Sequence, residues 1–351
     1  MPDNTTWHPG EAGRESIERV ERLVAGLGGE LGSLATGLLA RHGYMIASDG
    51  GGPHRNVLGH PLFELPIWLD NATSDEGEVG REVLADICES SLCGYLAVRA
   101  EDDFFDGDWD DPTAALMLAG LFRTRHQALL GPLVPDPRFW ERFEDLWRGY
   151  GEAMLLERAL HAPGMEYGRA EFDAVLLRSQ PLEIPGDAVL SIKGRWDLTG
   201  PLADLVKHLT KATQLFDDFV DAPDDLEAGN LTWMVRRLGG LEGGLAVRRG
   251  MITWCDRVMA EAAGELDRAL DIAAALRIVE MTAWVEARKQ IMNGASDKLY
   301  EALFERLGGE RLSRRAHLHV WFTLLTKGNV KHEPDTPRID RKGSPRPRFP
   351  S

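Results

Sequence analysis

The chain is poor in cysteine, with only Cys88, Cys93 and Cys255 among 351 residues. They make neither a disulfide framework nor a zinc-ligand spacing, so a reducing compartment is the simplest reading. An excess of basic residues is also lacking: Lys plus Arg total 40 against 56 Asp plus Glu, a net charge of -16. That balance argues against nonspecific binding to nucleic acid or anionic membrane. It leaves a small anionic ligand open, because a local metal site can outweigh the global field. No apolar run approaches the ~18 residues of a membrane span. The opening MPDNTTWHPGEAGRESIE has neither the basic start nor the apolar stretch of a signal peptide. A cytoplasmic protein without a membrane span is the expectation. Strand-like alternation is scarce, and no repeat of fixed period occurs. Missing too are the Glu-x-x-His pairs of di-iron carboxylate bundles and any adjacent His–Asp pair of ligands.

What the sequence does have is helical periodicity. Apolar residues recur at three- and four-residue spacing in 17–27, 34–47, 78–106, 110–131, 136–161 and 200–223, and further helical segments run to about residue 325. SDGGGPHRN (48–56) breaks the pattern, and Asp111 followed by Pro112 reads as a helix start. Pro181 and Pro185 interrupt the helical stretch after FDAVLLRSQ. The tail HEPDTPRIDRKGSPRPRFPS is rich in proline and arginine and reads as a disordered terminus. The expected organisation is one large all-α domain over 1–330 and a loose tail over 331–351.

Against that background, EDDFFDGDWDD (101–111) is anomalous. It crowds Asp102, Asp103 and Asp106 into one turn near an expected helix C-terminus, where the helix dipole disfavours acids. No Lys or Arg follows until Arg123. Like charges this close resist ionising unless a cation sits beside them. QLFDDFVDAPDD (214–225) repeats the pattern, with Asp217, Asp218 and Asp221 at the same relative positions, just before Pro223. In a helix the first and fifth residues, and the second and fifth, share a face, so each triplet aims its oxygens one way. Two such turns facing one another across a bundle would make a cavity with an acidic rim and apolar walls. Hard oxygen donors of this kind favour Mg²⁺ bridged to a ligand's phosphate oxygens.

DDFFD and DDFVD resemble the two aspartate-rich motifs of the class I isoprenoid synthases, the trans-prenyl diphosphate synthases and their terpene-cyclase relatives. The likeness continues through QLFDDFVDAPDDLEAGNLTW, with Gln214 before the second motif and Asp225, Leu226, Gly229 and Thr232 after it. The resemblance implies an α-helical bundle around a central apolar cavity. In it Asp102, Asp103, Asp106, Asp217, Asp218 and Asp221 would hold Mg²⁺ ions, three by the family's pattern, that grip the diphosphate of an allylic substrate. It further implies Lewis-acid ionisation of the carbon–oxygen bond and a dry, π-lined pocket for the carbocation. Phe104, Phe105, Phe216 and Phe219 lie beside those turns. Relatives of this fold are often dimers, which makes a homodimer an expectation as well.

The pattern departs from chain-elongating members where a second diphosphate would bind. GGPHRNVL has Pro53 where lysine belongs and keeps only Arg55; no arginine pair follows the first motif; Asn230 stands where a lysine is expected. Ionisation is therefore kept while condensation loses its cations. The favoured expectation is a terpene synthase that ionises one linear prenyl diphosphate and cyclises or quenches the cation. A prenyl diphosphate synthase or prenyltransferase onto another acceptor is the alternative, and a non-catalytic scaffold is a third. Asp225 is an added candidate metal ligand. Arg178, Lys211, Gln214 and Arg55 are candidates for gripping diphosphate, and Lys327 for a lid. Val98 and Ala97, with Tyr95 further down, would set the pocket floor, their small size leaving room for more than ten carbons.

Overall fold

Most of the periodic stretches are helices in the structure, a computed structural model that describes residues 11–41, 63–106, 109, 112–162, 164–290, 292 and 294. Among the described residues there is no strand. The helices are α1 (Glu11–Ala25), α2 (Gly29–Arg41), α3 (Leu65–Ala72), α4 (Arg81–Asp106), α5 (Pro112–Leu130) and α6 (Pro137–Leu160). After them come α7 (Arg169–Val175), α8 (Ile184–Ile192), α9 (Thr199–Ala228), α10 (Trp233–Arg237), α11 (Gly244–Ala275) and α12 (279–290). Arg55, Asp111, Lys327 and the 331–351 tail lie outside the described residues. No described helix is long and apolar enough to cross a membrane.

Two cores organise the bundle. The larger is built around α9, whose Leu202, Leu205, Val206, Leu209, Ala212, Phe216, Phe219 and Val220 are buried at helical spacing. Against α9 pack α8, α10 and α11, and α6 and α12 add buried residues to the same core. Helix α8 is buried over most of its length, and Gly186 shows why: a Cβ there would come within 2.6 Å of Leu202 and 3.0 Å of Leu69. A smaller core joins α1, α2, α4 and α5 through Val20, Leu38, Leu92, Leu96, Ala97 and Phe122.

Helix α4 ends at Asp106 with no basic residue in its last turn. Helix α9 behaves differently from the expectation that its acidic turn closes the helix before Pro223. Pro223 lies inside α9, which continues to Ala228, although proline removes the N–H that would meet the Phe219 carbonyl. The helix stops where the chain can leave it cheaply: Gly229 adopts φ 85°, its N–H bonds Leu226 O at 3.1 Å, and Asn230 N bonds Asp225 O at 2.8 Å. Thr232 then caps α10 by accepting from Val235 N at 3.2 Å. The glycine and threonine of the second motif's extension thus turn the chain out of α9 and into α10. Between α7 and α8 runs a 3₁₀ stretch, Leu176–Glu183, containing Pro181. It packs on α4, α6 and α9, and so sits between the two helices that carry the acidic turns.

Candidate active site

The first acidic turn is already partly neutralised within its own helix. Arg99, one turn upstream, donates to Asp102 Oδ2 at 3.0 Å and lies 4.0 Å from Asp103 Oδ1. Asp103 is buried and also accepts from Trp109 Nε1 at 3.0 Å. Glu101 turns to another side, where Arg123 grips both its oxygens at 2.7 and 2.8 Å and Tyr150 donates its hydroxyl at 2.6 Å. The Arg123 guanidinium lies 4.2 Å above the Trp147 ring. Asp106 ends α4, and its side chain is outside the description.

Arg178, on the 3₁₀ stretch, connects the first turn to the second. It donates to Glu157 of α6 at 2.5 Å and to Gln214 Oε1 of α9 at 2.6 Å. Gln214 passes the contact on by donating to Asp218. Burial works to lower the Arg178 pKa, but the charges of Glu157, Asp102 and Asp218 outweigh it and hold the group above the ordinary arginine range. Asp102 from α4 and Asp218 from α9 therefore act on one guanidinium.

The second turn carries the more strongly perturbed carboxyls. Burial pushes Asp218 up to about 8, against the pull of Arg178 and the Gln214 hydrogen bond. Asp221 rises to about 7, through burial and then through repulsion by Asp217, Asp225 and Asp224. Burial raises Asp217 as well, opposed by Arg288 of α12 and by Arg178. Asp225 adds its charge to both Asp218 and Asp221.

Several other candidates fall elsewhere. Lys211 pairs its ammonium with Asp173 at 2.8 Å and lies 3.5 Å from Glu265, so it faces α7 and α11. Ala97 is 0% exposed and belongs to the core that joins α1, α2, α4 and α5. Phe105 is 41% exposed, its ring 5.2 Å from Phe104 and 5.8 Å from the Arg158 guanidinium, and it faces outward. Phe216 and Phe219 are packed into the main core. Tyr95 meets Phe63 edge-on at 5.6 Å, and Val98 shares the Asp102 face of α4, half-buried. Arg99 and Glu157, which the structure brings to the acidic turns and to Arg178, stand outside both aspartate motifs. Arg99 carries a local signal all the same, since three- and four-residue spacing to Asp102 and Asp103 is a recognised helical pairing.

Among the described residues no three His, Cys, Asp or Glu side chains converge as a finished cation site. The donor chemistry still fits a hard divalent cation. Asp217, Asp218 and Asp221 offer only oxygen ligands; burial raises all three, and neighbouring acids add to the rise at Asp218 and Asp221.

The sequence matches no protein-family model and no curated protein. Solved structures do match. Heptaprenyl diphosphate synthase from Staphylococcus aureus superposes with a TM-score of 0.60 at 12% identity, over 80% of this chain and 98% of its own. Geranylgeranyl pyrophosphate synthase from Lactobacillus brevis gives 0.61 at 10% identity, over 78% and 95%. A polyprenyl synthase from Caulobacter crescentus, complexed with calcium and isoprenyl diphosphate, gives 0.51 at 15% identity, over 79% and 99%. The chain has the all-α fold of the isoprenoid synthases.

Proposed function

We propose that this protein is a metal-dependent enzyme of allylic prenyl diphosphates that transfers the prenyl group to an acceptor. The observation carrying the proposal is the hydrogen-bonded chain from Arg178 through Gln214 to Asp218, with the charge of Asp102 acting on the same guanidinium. Support comes from the similar structures, whose names are those of prenyl diphosphate synthases, one of them holding calcium with isoprenyl diphosphate.

Asp217, Asp218, Asp221 and Asp225 on α9, with Asp102, Asp103 and Asp106 on α4, would hold Mg²⁺. When bound it supplies Lewis acidity toward the diphosphate oxygens as that group leaves. Arg178 adds planar, bidentate donors to the same oxygens, held in place by Glu157 and Gln214. Cleavage of the allylic C–O bond sends the electron pair out on diphosphate. The acceptor's double bond then forms the new C–C bond, and a proton is lost. Phe216 and Phe219, buried under the second turn, keep water from that side of the pocket.

A second reading, intramolecular cyclisation, is favoured by one observation. Arg99 and Arg123, beside the first turn, are already bound to Asp102 and Glu101, so neither is spare for a second diphosphate. Incubation with Mg²⁺ and C10, C15 or C20 allylic diphosphates, with and without isopentenyl diphosphate, separates the two. Longer diphosphates formed only with isopentenyl diphosphate support transfer. Hydrocarbons or alcohols formed without it support cyclisation, and no consumption of any substrate overturns both.

A further inference from the structure

The acid that precedes the first triplet is held differently from its neighbours. Asp102 and Asp103 are met by Arg99 of their own helix, whereas Glu101 is met from α5 and α6. One nitrogen of Arg123 reaches both its oxygens, at 2.7 and 2.8 Å, and the Tyr150 hydroxyl donates to Oε2 at 2.6 Å. Two other helices thus occupy most of the acceptor positions that a carboxylate offers.

The donors are placed by a platform further back along α4. The Arg123 guanidinium lies 4.2 Å above the Trp147 ring, which meets Tyr150 edge-on at 5.4 Å and His126 at 5.9 Å. His126 is locked to α4. The Ser90 hydroxyl donates to His126 O at 3.0 Å, which leaves its oxygen to accept from His126 Nδ1 at 2.7 Å. The ring fits because residue 94 is glycine, where a Cβ would come within 3.3 Å of it.

The guanidinium follows this platform rather than the acid. Its Nε is buried without a partner, so a single nitrogen serves Glu101. Arg125 on the same helix instead meets Glu89 with Nε and Nη2, at 3.0 and 2.6 Å. A pair formed for its charge alone would favour that fork. The last turn of α4 has reason to be held: it carries the acids with no basic residue, at the end of a helix where the dipole disfavours them. Residues 101 and 102 project about 100° apart, so fixing one side chain restrains where the next one points.

We infer that Glu101 is a positioning residue for the first acidic turn: clamped by Arg123 and Tyr150, it orders the last turn of α4 so that Asp102 and Asp103 are set before a cation arrives. The inference rests on the proposed function, in which those aspartates hold Mg²⁺, and it gives a role to an acid outside both triplets.

The test combines calorimetric titration of Mg²⁺ alone into the full chain with backbone hydrogen exchange of residues 102–105 in EDTA. Wild type is compared with Tyr150→Phe, Arg123→Met and Arg148→Gln, an exposed control on α6. Tyr150→Phe removes one hydroxyl and no charge, and is expected to weaken Mg²⁺ binding and to speed exchange, each at least three-fold. Arg123→Met separates positioning from electrostatics, because loss of a cation beside the acids would by charge alone tighten Mg²⁺ binding. Loss of the clamp is expected to weaken it at least three-fold instead. Arg148→Gln should change neither readout. Unchanged or tighter binding by Arg123→Met overturns the inference. Unchanged exchange in Tyr150→Phe overturns it too, even where the methionine variant does not fold. A wild type that binds no Mg²⁺ overturns the proposed metal site and this role with it; a wild type that binds no more tightly than Tyr150→Phe overturns the role alone.

Discussion

Arg178 donates to Gln214 across 2.6 Å, from a 3₁₀ turn to the middle of α9. Gln214 hands the constraint to Asp218, so the guanidinium and the carboxylate are positioned by one amide. Replacing that amide with Gln214→Leu leaves Arg178 to Glu157 alone and frees the Asp218 rotamer. We expect kcat/KM to fall by about 10- to 100-fold, the range for residues that orient a metal ligand from behind. Arg178→Gln should cost more, about 10²- to 10³-fold, as loss of a donor aimed at developing charge. Steady-state kinetics at saturating Mg²⁺ decide both, and a Gln214→Leu enzyme within two-fold of wild type removes the link.

Asp218 should pull stability and activity in opposite directions. Its carboxyl carries a burial penalty that Arg178 and Gln214 do not cancel, and an amide of the same shape has no charge to desolvate, so its burial costs less. Asp218→Asn is therefore expected to raise the thermal midpoint measured with EDTA, while lowering turnover at least 10³-fold. Asp102→Asn should match the loss of turnover without the gain in stability, because Arg99 already balances that carboxylate. Full activity in both variants would remove the proposed metal roles.

Local patterns made much of this arrangement readable before the structure. The aspartate triplets, Gln214 and the long helices follow from spacing of three and four residues, which a single sequence displays. What spacing cannot give is the identity of the neighbour across a face. Lys211 does share a side of α9 with Asp218 by periodicity, yet Asp173 and Glu265 from distant segments claim its ammonium. Ala97 is small at a family-defined floor position, but α1, α2 and α5 fill the space around it. The run of α9 through Pro223 was masked for a related reason: packing of Phe219 and Val220 into the core outweighs a proline's local penalty. Arg99 differs from these, because its pairing with Asp102 is local, an upstream cation three residues from the acid it meets.

Lys193 tests how the scaffold beneath the site is held. Its side chain is 3% exposed, and its ammonium meets Asp70 Oδ1 at 2.6 Å and the carbonyls of Asp70, Thr73 and Gly77 at 3.0, 2.9 and 2.7 Å. It thereby ties the end of α3 and the following turn to α8. Lys193→Met takes the cation from a buried carboxylate, which keeps only the Val79 N–H at 3.0 Å, and removes one donor from each of three carbonyls. A loss of about 3–5 kcal/mol is expected, the range for breaking one side of a buried pair, read as a lower denaturant midpoint with unchanged m. A midpoint shift under 1 kcal/mol (~a fifth of the upper figure) would mean water replaces the ammonium.

The buried acids at the start of α8 predict a pH dependence separate from catalysis. Burial, with Asp187 beside it, raises Glu183 to about 7, and burial raises Asp187 to about 6; both share the single guanidinium of Arg142 at 2.5 and 2.6 Å. One cation cannot neutralise two carboxylates, so the fold retains a proton that the unfolded chain has already released. Between about pH 4 and pH 7 the folded state therefore binds more protons, and linkage makes stability fall as pH rises through that window. Glu183→Gln removes one ionisable partner and leaves Arg142 to Asp187 alone. The thermal midpoint of the variant should then decline less than that of the wild type between pH 5 and pH 7.5, roughly the interval in which these groups discharge. Parallel midpoint curves for the two proteins would show that the buried pair does not carry the shared proton.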